Sequence, residues 1–399
     1  MTTAVPPTPR TGDLTHDFNW GQVSPPLTQA ALATSTVEPQ INPSLGPLAL
    51  LANTTFRGNG FNTIFRPHKP GTPSGLPVTP DPATNPDDNI LELNITEEIL
   101  EFSSALGSVP NRGFLQDDIF FNGVPYIQRV KDVTDPSHPV DIHFEPGIWL
   151  SVPATTNPVE GATVVRMASI PHGTTIEAQG TSFTVPTPQI NPVDITPFFL
   201  PPRNGPQSFP SQTFDNNATF RLPQDLSTTR ITKTMLQDPN SVLTDRIQQQ
   251  LQDQAITSTI VITIETNAVN PLPGGQPDAA LDGGGTDNIA FLKGTAGGPN
   301  AEAVAMSAIF WIETVKDQIT VPALQPGESV TLPGTDTAGD GLVPSFTFTA
   351  TNAFAGGAKN VSFTQVQYTQ RVHLNFAPLG WSHISVANLI PADPIPVTI

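Results

Sequence analysis

Apolar and polar residues alternate with a period of two along most of this chain. Leu91, Leu93 and Ile95 alternate with Glu92 and Asn94, which gives one apolar face and one polar face. The same pattern runs through residues 119–121, 124–130, 142–152, 163–170 and 174–180. Asn122-Gly123, the pair best suited to a tight hairpin, separates the first two of these runs, and Pro171-His172-Gly173 joins the last two. Further along, Ile260, Ile262 and Ile264 share a face, and Val304, Met306, Ala308, Phe310 and Ile312 alternate with other positions. A final pair of runs, 361–376 and 381–389, is linked by a turn at 377–380. Strands in this rhythm predict an all-β, antiparallel meander, and a long meander avoids exposed edges by closing into a β-barrel.

A helical period appears once, over residues 239–254. Asp238 stands as its N-cap, Pro239 takes the first helical position, and Val242, Leu243, Ile247 and Leu251 form a narrow apolar stripe. Residues 45–65 read as a short helical turn leading into a strand. Residues 1–42, rich in Pro, Thr and Ala, read as an extended or partly disordered arm. Residues 67–88 form a long loop, 183–235 a Pro-rich crossover or lid, and 270–300 a Gly/Pro/Asp loop that includes Gly283-Gly284-Gly285. The expected organisation is the arm 1–42 followed by one large barrel domain, 43–399, with an inserted loop and helix region at about 183–300.

Composition narrows the function. Charged residues are 13% of the chain, about half the usual share. The polar surface must therefore come largely from Thr, Ser, Asn and Gln, and the 45 prolines fall between the apolar runs. A net charge of −18 with only 17 Lys and Arg, and no basic cluster, argues against nucleic acid and against an anionic membrane surface. The chain has no cysteine, so disulfides, thiolate nucleophiles, zinc–thiolate sites and iron–sulfur clusters are excluded. No signal peptide or apolar run of membrane-spanning length is visible, which makes a soluble, cytoplasmic protein the expectation. Phosphate-loop, dinucleotide, zinc-protease and nucleophile-elbow motifs are absent.

Three segments combine strand patterns with turns and histidines: F-E-P-G-I-W-L-S-V-P at 144–153, S-I-P-H-G-T-T-I at 169–176 and G-W-S-H-I-S-V-A at 380–387. They resemble a larger bacterial group described as haem-binding proteins. The stretch G-P-L-A-L-L-A-N-T-T-F-R-G-N-G at 46–60, and Y-I-Q-R-V-K-D-V at 126–133 followed by H-F-E-P-G-I-W-L at 143–150, resemble the nitrobindin-like, lipocalin-like haem-binding barrels. Phe56 stands where that family carries Trp. The resemblance implies an enlarged barrel that binds haem (heme) through a histidine on a C-terminal strand, where His373 and His383 both qualify.

Strand alternation favours His383 as the iron ligand. Trp381, His383, Ser385 and Ala387 point one way and Ile384 and Val386 the other, so His383 sits beside small residues that leave room for a flat ligand. His373 shares the polar side of its strand with Gln365, Gln367 and Arg371, a face more often turned outward. His172 occupies a hairpin tip. His143, with Glu145 to orient it, and Trp149 lie along one alternation and supply a candidate acid/base or supporting group. The cofactor-binding candidates are thus His383, His172, Trp381, His373, His143 and Trp149, with His383 as the metal ligand.

The function expected is binding of haem or a similar flat hydrophobic cofactor, with peroxidase-like or gas-binding chemistry open and catalysis unassigned. The rival readings are a metal-free calycin-like carrier of a hydrophobic small molecule and a structural β protein that forms assemblies. A homo-oligomer is compatible with each.

Overall fold

The computed structural model describes residues 43–68, 89–157, 159–200, 204–266, 283–294, 300–336, 339, 341–376 and 379–399. The arm 1–42 and nearly all of the 67–88 loop lie outside the described residues. Ten strands form the barrel: β1 (Thr55–Pro67), β2 (Asn89–Phe102), β3 (Ile119–Asp132), β4 (Val140–Val152), β5 (Thr163–Ile170), β6 (Thr174–Val185), β7 (Ala255–Glu265), β8 (Glu302–Val321), β9 (Gly357–Phe376) and β10 (Leu379–Pro391). Each pairs antiparallel with the next, and β10 pairs with β1, so the sheet closes and leaves no barrel edge.

Period-two alternation sends one face of every strand into the lumen. Phe56, Leu100, Val124, Trp149, Val164, Ala178, Ile262, Phe310, Val366 and Leu389, one from each strand, join a single buried cluster. A short 3-10 turn, Gly46–Leu50, adds Leu48, and Leu51 follows it into the same cluster, so the turn plugs one end of the barrel. The spaced glycines of β1 serve closure. A side-chain carbon at Gly58 would fall 1.8 Å from the carbonyl oxygen of Asn388, and one at Gly60 2.2 Å from that of Val386.

The opposite face of part of the wall is also buried. Phe61, Phe65, Leu91, Leu93, Val261, Trp311, Ile384 and Val386 lie under Val193, Ile195, Leu226, Ile231, Leu236 and Leu243 of the β6–β7 crossover. This crossover therefore covers the outer wall rather than acting as a lid. It contains α1 (Ser241–Gln250), shorter than the predicted 239–254. Asp238 accepts hydrogen bonds from the backbone of Val193 and Asn240, each at 3.0 Å, and so fixes the turn ahead of the helix. A third cluster backs a small sheet of Ser329–Pro333, Ser345–Thr349 and Ile395–Thr398.

Two local expectations are corrected. Asn122-Gly123 lies inside continuous β3 and makes no hairpin; Asn122 instead accepts from the backbone of Gly107 at 3.0 Å and donates to the carbonyl of Pro43 at 2.8 Å. The 183–300 region is not wholly an insertion, because it contains barrel strand β7, and Gly283–Asn288 is a strand paired with β6 rather than loop. Among the described residues no helix is long and apolar enough to cross a membrane.

Candidate functional site

The end of the lumen away from the 3-10 plug is polar, and three histidines from distant segments reach it. His143 comes from β4, His172 from the β5–β6 hairpin and His383 from β10. The rings of His143 and His172 lie 5.7 Å apart, and both are close enough to His383 to bear on its titration. Burial first, then these two neighbours, lowers the His383 pKa to about 3, so its imidazole is neutral over the physiological range. Its Nε2 lies 2.8 Å from Asn62 Nδ2 on β1. His172 is also lowered, by burial and then by His143, while its ring donates to the carbonyl of Ile142.

Beneath the histidines lies a buried network. Glu145, fully buried, accepts from His143 Nε2 at 3.1 Å, from Arg166 at 2.5 Å and from the Tyr126 hydroxyl. Burial opposes ionisation of Glu145, but the Arg166 guanidinium and the bond from His143 outweigh it and hold the carboxyl well below the usual range. An ionised carboxylate only accepts, so His143 Nε2 carries the hydrogen of this bond. Arg166 also donates to Tyr126 at 2.8 Å and to Gln370 at 2.6 Å. Its guanidinium lies 5.5 Å from the ring centres of Tyr126 and Phe310 and 5.7 Å from that of Trp149.

A second carboxyl behaves in the opposite way. Glu98 accepts from Gln128 at 2.8 Å and from the Tyr368 hydroxyl at 2.6 Å, without direct contact to a guanidinium. Burial dominates, and its pKa rises to about 7 despite the bonds from Tyr368 and Gln128. The two tyrosines are pushed well above their ordinary value, each chiefly by burial, and remain protonated donors.

Of the six candidates, the structure thus brings together His143, His172 and His383. Trp149 lies deeper in the lumen, edge-on to Phe310 at 5.0 Å. Trp381 does not share the lumen face with His383; it stacks on Phe376 at 4.6 Å and packs with Phe65 and Phe209 beside the crossover. His373 faces the crossover too, 5.6 Å from the Phe198 ring, with its pKa lowered to about 4 by burial and then by Arg371.

Sequence reasoning missed Asn62, Glu98, Tyr126, Gln128, Arg166, Tyr368 and Gln370. A signal for two of them was present. Arg166 falls between Val164 and Ala168, and Glu98 shares the parity of Leu100 and Phe102, so each is a charge at an apolar-face position.

An iron porphyrin takes an imidazole nitrogen as a ligand, and His383 is the residue of this cluster whose Nε2 faces an amide rather than a carboxylate. A bare ion fits less well, since among the described residues no group of three or more His, Asp or Glu is arranged to hold one. No family model matches the chain, and no curated protein matches it. A crystal structure of Rv2717c from M. tuberculosis aligns over 88% of this chain and 97% of that one, at 11% identity and a TM-score of 0.31.

Proposed function

We propose that the histidine end of the barrel binds haem, with His383 as the residue that would hold the iron. The observation that carries this reading is the meeting of His143, His172 and a neutral His383 at one end of the closed barrel. When bound, haem would supply an iron centre able to take up diatomic gases or peroxide. The chain's own residues have separate tasks. His383 holds the ligand, Asn62 and Ser385 border it, and His143, oriented by Glu145, can accept or return a proton beside it. Arg166 keeps Glu145 ionised and so keeps His143 oriented.

A haemin titration followed near the Soret band tests this reading. The expected result is a saturating one-to-one shift in the wild-type protein that His383→Ala abolishes. Absence of a shift in the wild-type protein sinks it.

A metal-free carrier of an apolar molecule is the second reading. It is favoured by Ile289 and Phe291, 56% and 70% exposed beside the His172 hairpin, where the backbone of Ile289 donates to Gly173 at 2.9 Å. In that case His383→Ala leaves affinity for the apolar ligand unchanged.

A further inference from the structure

The Nε2 of His383 already has a partner. Asn62 Nδ2 lies 2.8 Å from it and 3.0 Å from the hydroxyl oxygen of Ser385. An amide NH2 has only hydrogens to give, so Nε2 is the lone-pair nitrogen and the hydrogen of the neutral ring sits on Nδ1. The placement is built into barrel closure. Asn62 stands opposite Ser385 in the register that joins β1 to β10, on the same face of β1 as Gly60. A single amide therefore bridges two side chains across the seam and spends both of its hydrogens there.

We propose that Asn62 is a positioning residue that latches His383, setting its tautomer and ring orientation and occupying the ligating nitrogen until a cofactor displaces it. This rests on the reading of His383 as an axial ligand. The latch has a direct chemical consequence. The nitrogen that would coordinate iron is kept unprotonated yet not freely offered, so only a ligand that competes with the amide gains it. Asn62 can give up this bond and keep the one to Ser385, which lets the ring be released without leaving the amide wholly unsatisfied.

Two substitutions separate the latch from a merely structural role. Asn62→Leu removes the donor. Asn62→Asp is isosteric but offers only acceptors, so His383 must place a hydrogen on Nε2 to meet it. Ring-nitrogen chemical shifts of His383, measured by NMR in the full chain without haemin, report the tautomer directly. The expected result is an Nδ1–H ring in the wild-type protein, loss of the fixed tautomer in Asn62→Leu, and an Nε2–H or protonated ring in Asn62→Asp. For haemin, Asn62→Leu is expected to bind about tenfold tighter and Asn62→Asp at least about tenfold weaker, the range one hydrogen bond spans. Unchanged shifts in both variants overturn the latch whatever haemin does. Altered shifts with no haemin binding by the wild-type protein support the latch on His383 and remove the haem reading instead.

Discussion

Two buried polar regions lie on opposite faces of the same barrel wall, and they treat their carboxyls differently. In the lumen, Glu145 touches Arg166 at 2.5 Å and is ionised. On the outer wall Glu313, fully buried, accepts from Gln365 at 2.6 Å, and burial raises its pKa to about 8 despite that bond and the field of Arg246. Gln365 and Gln250 of α1 exchange hydrogen bonds at 2.7 and 2.9 Å, and Asn240, just ahead of α1, accepts from Thr369 at 2.6 Å. The outer region is thus a ladder of amides, a hydroxyl and a largely protonated carboxyl that fixes the crossover in place. The inner region holds a charge pair that orients a histidine. What decides between the two is direct contact with a guanidinium: Glu98, also in the lumen but not bonded to Arg166, behaves like Glu313.

The largest break in this contrast should come from Arg166→Met, which leaves an ionised Glu145 buried without its partner. Chemical denaturation should show a loss of about 3–5 kcal/mol, with most of it recovered in the Arg166→Met, Glu145→Gln double variant. Next comes pH. Glu98 and Glu313 have folded pKa values raised above the ordinary carboxyl value, so they bind more protons folded than unfolded. Their contribution is complete below the ordinary value near 4.5 and is lost as pH rises through about 7 and about 8. Stability should fall across that window, by at most about 1.4 kcal/mol per pH unit for each group. Glu98→Gln should halve the slope between about 4.5 and 7, whereas Glu313→Gln should halve it there and also remove what remains between about 7 and 8. Glu145 has the reverse sign, and its share is lost only as pH falls below the ordinary carboxyl range.

A smaller effect is expected from Gln365→Leu, which breaks the reciprocal amide pair with Gln250 and removes the donor to Glu313. Its cost should be about 1–3 kcal/mol, with haemin affinity unchanged because the ladder lies outside the lumen. The smallest effect on stability is expected from His172→Asn at the exposed hairpin tip. Melting should move by about 0.5 kcal/mol or less, while haemin affinity should fall, though less than in His383→Ala.

Much of the fold was legible because strand periodicity is a local property. Leu91, Leu93 and Ile95 do share a face, as do Ile260, Ile262 and Ile264. Which of two buried faces each run would occupy was not legible. The first set lies under the crossover and the second lines the lumen. For the same reason the polar strand face of His373, Gln365 and Gln367 was rightly read as outward, yet it is buried beneath the crossover and α1. Asn122-Gly123 misled because its tight-turn signal is local, whereas its actual partners, Gly107 and Pro43, come from other segments.

The sequence by itself determined the all-β character, the strand and turn rhythm and the absence of thiol chemistry. Those follow from alternation and residue type, which neighbours along the chain suffice to establish. Only the tertiary structure decided which histidines meet, that Trp381 and His373 stand apart from them, and that Asn62 holds His383. Barrel closure joins the first strand to the last across more than 300 residues (Asn62 with His383, 321 apart). The protonation of Glu98 and Glu145 depends likewise on burial and on one guanidinium from another strand, and neither is written in the local sequence.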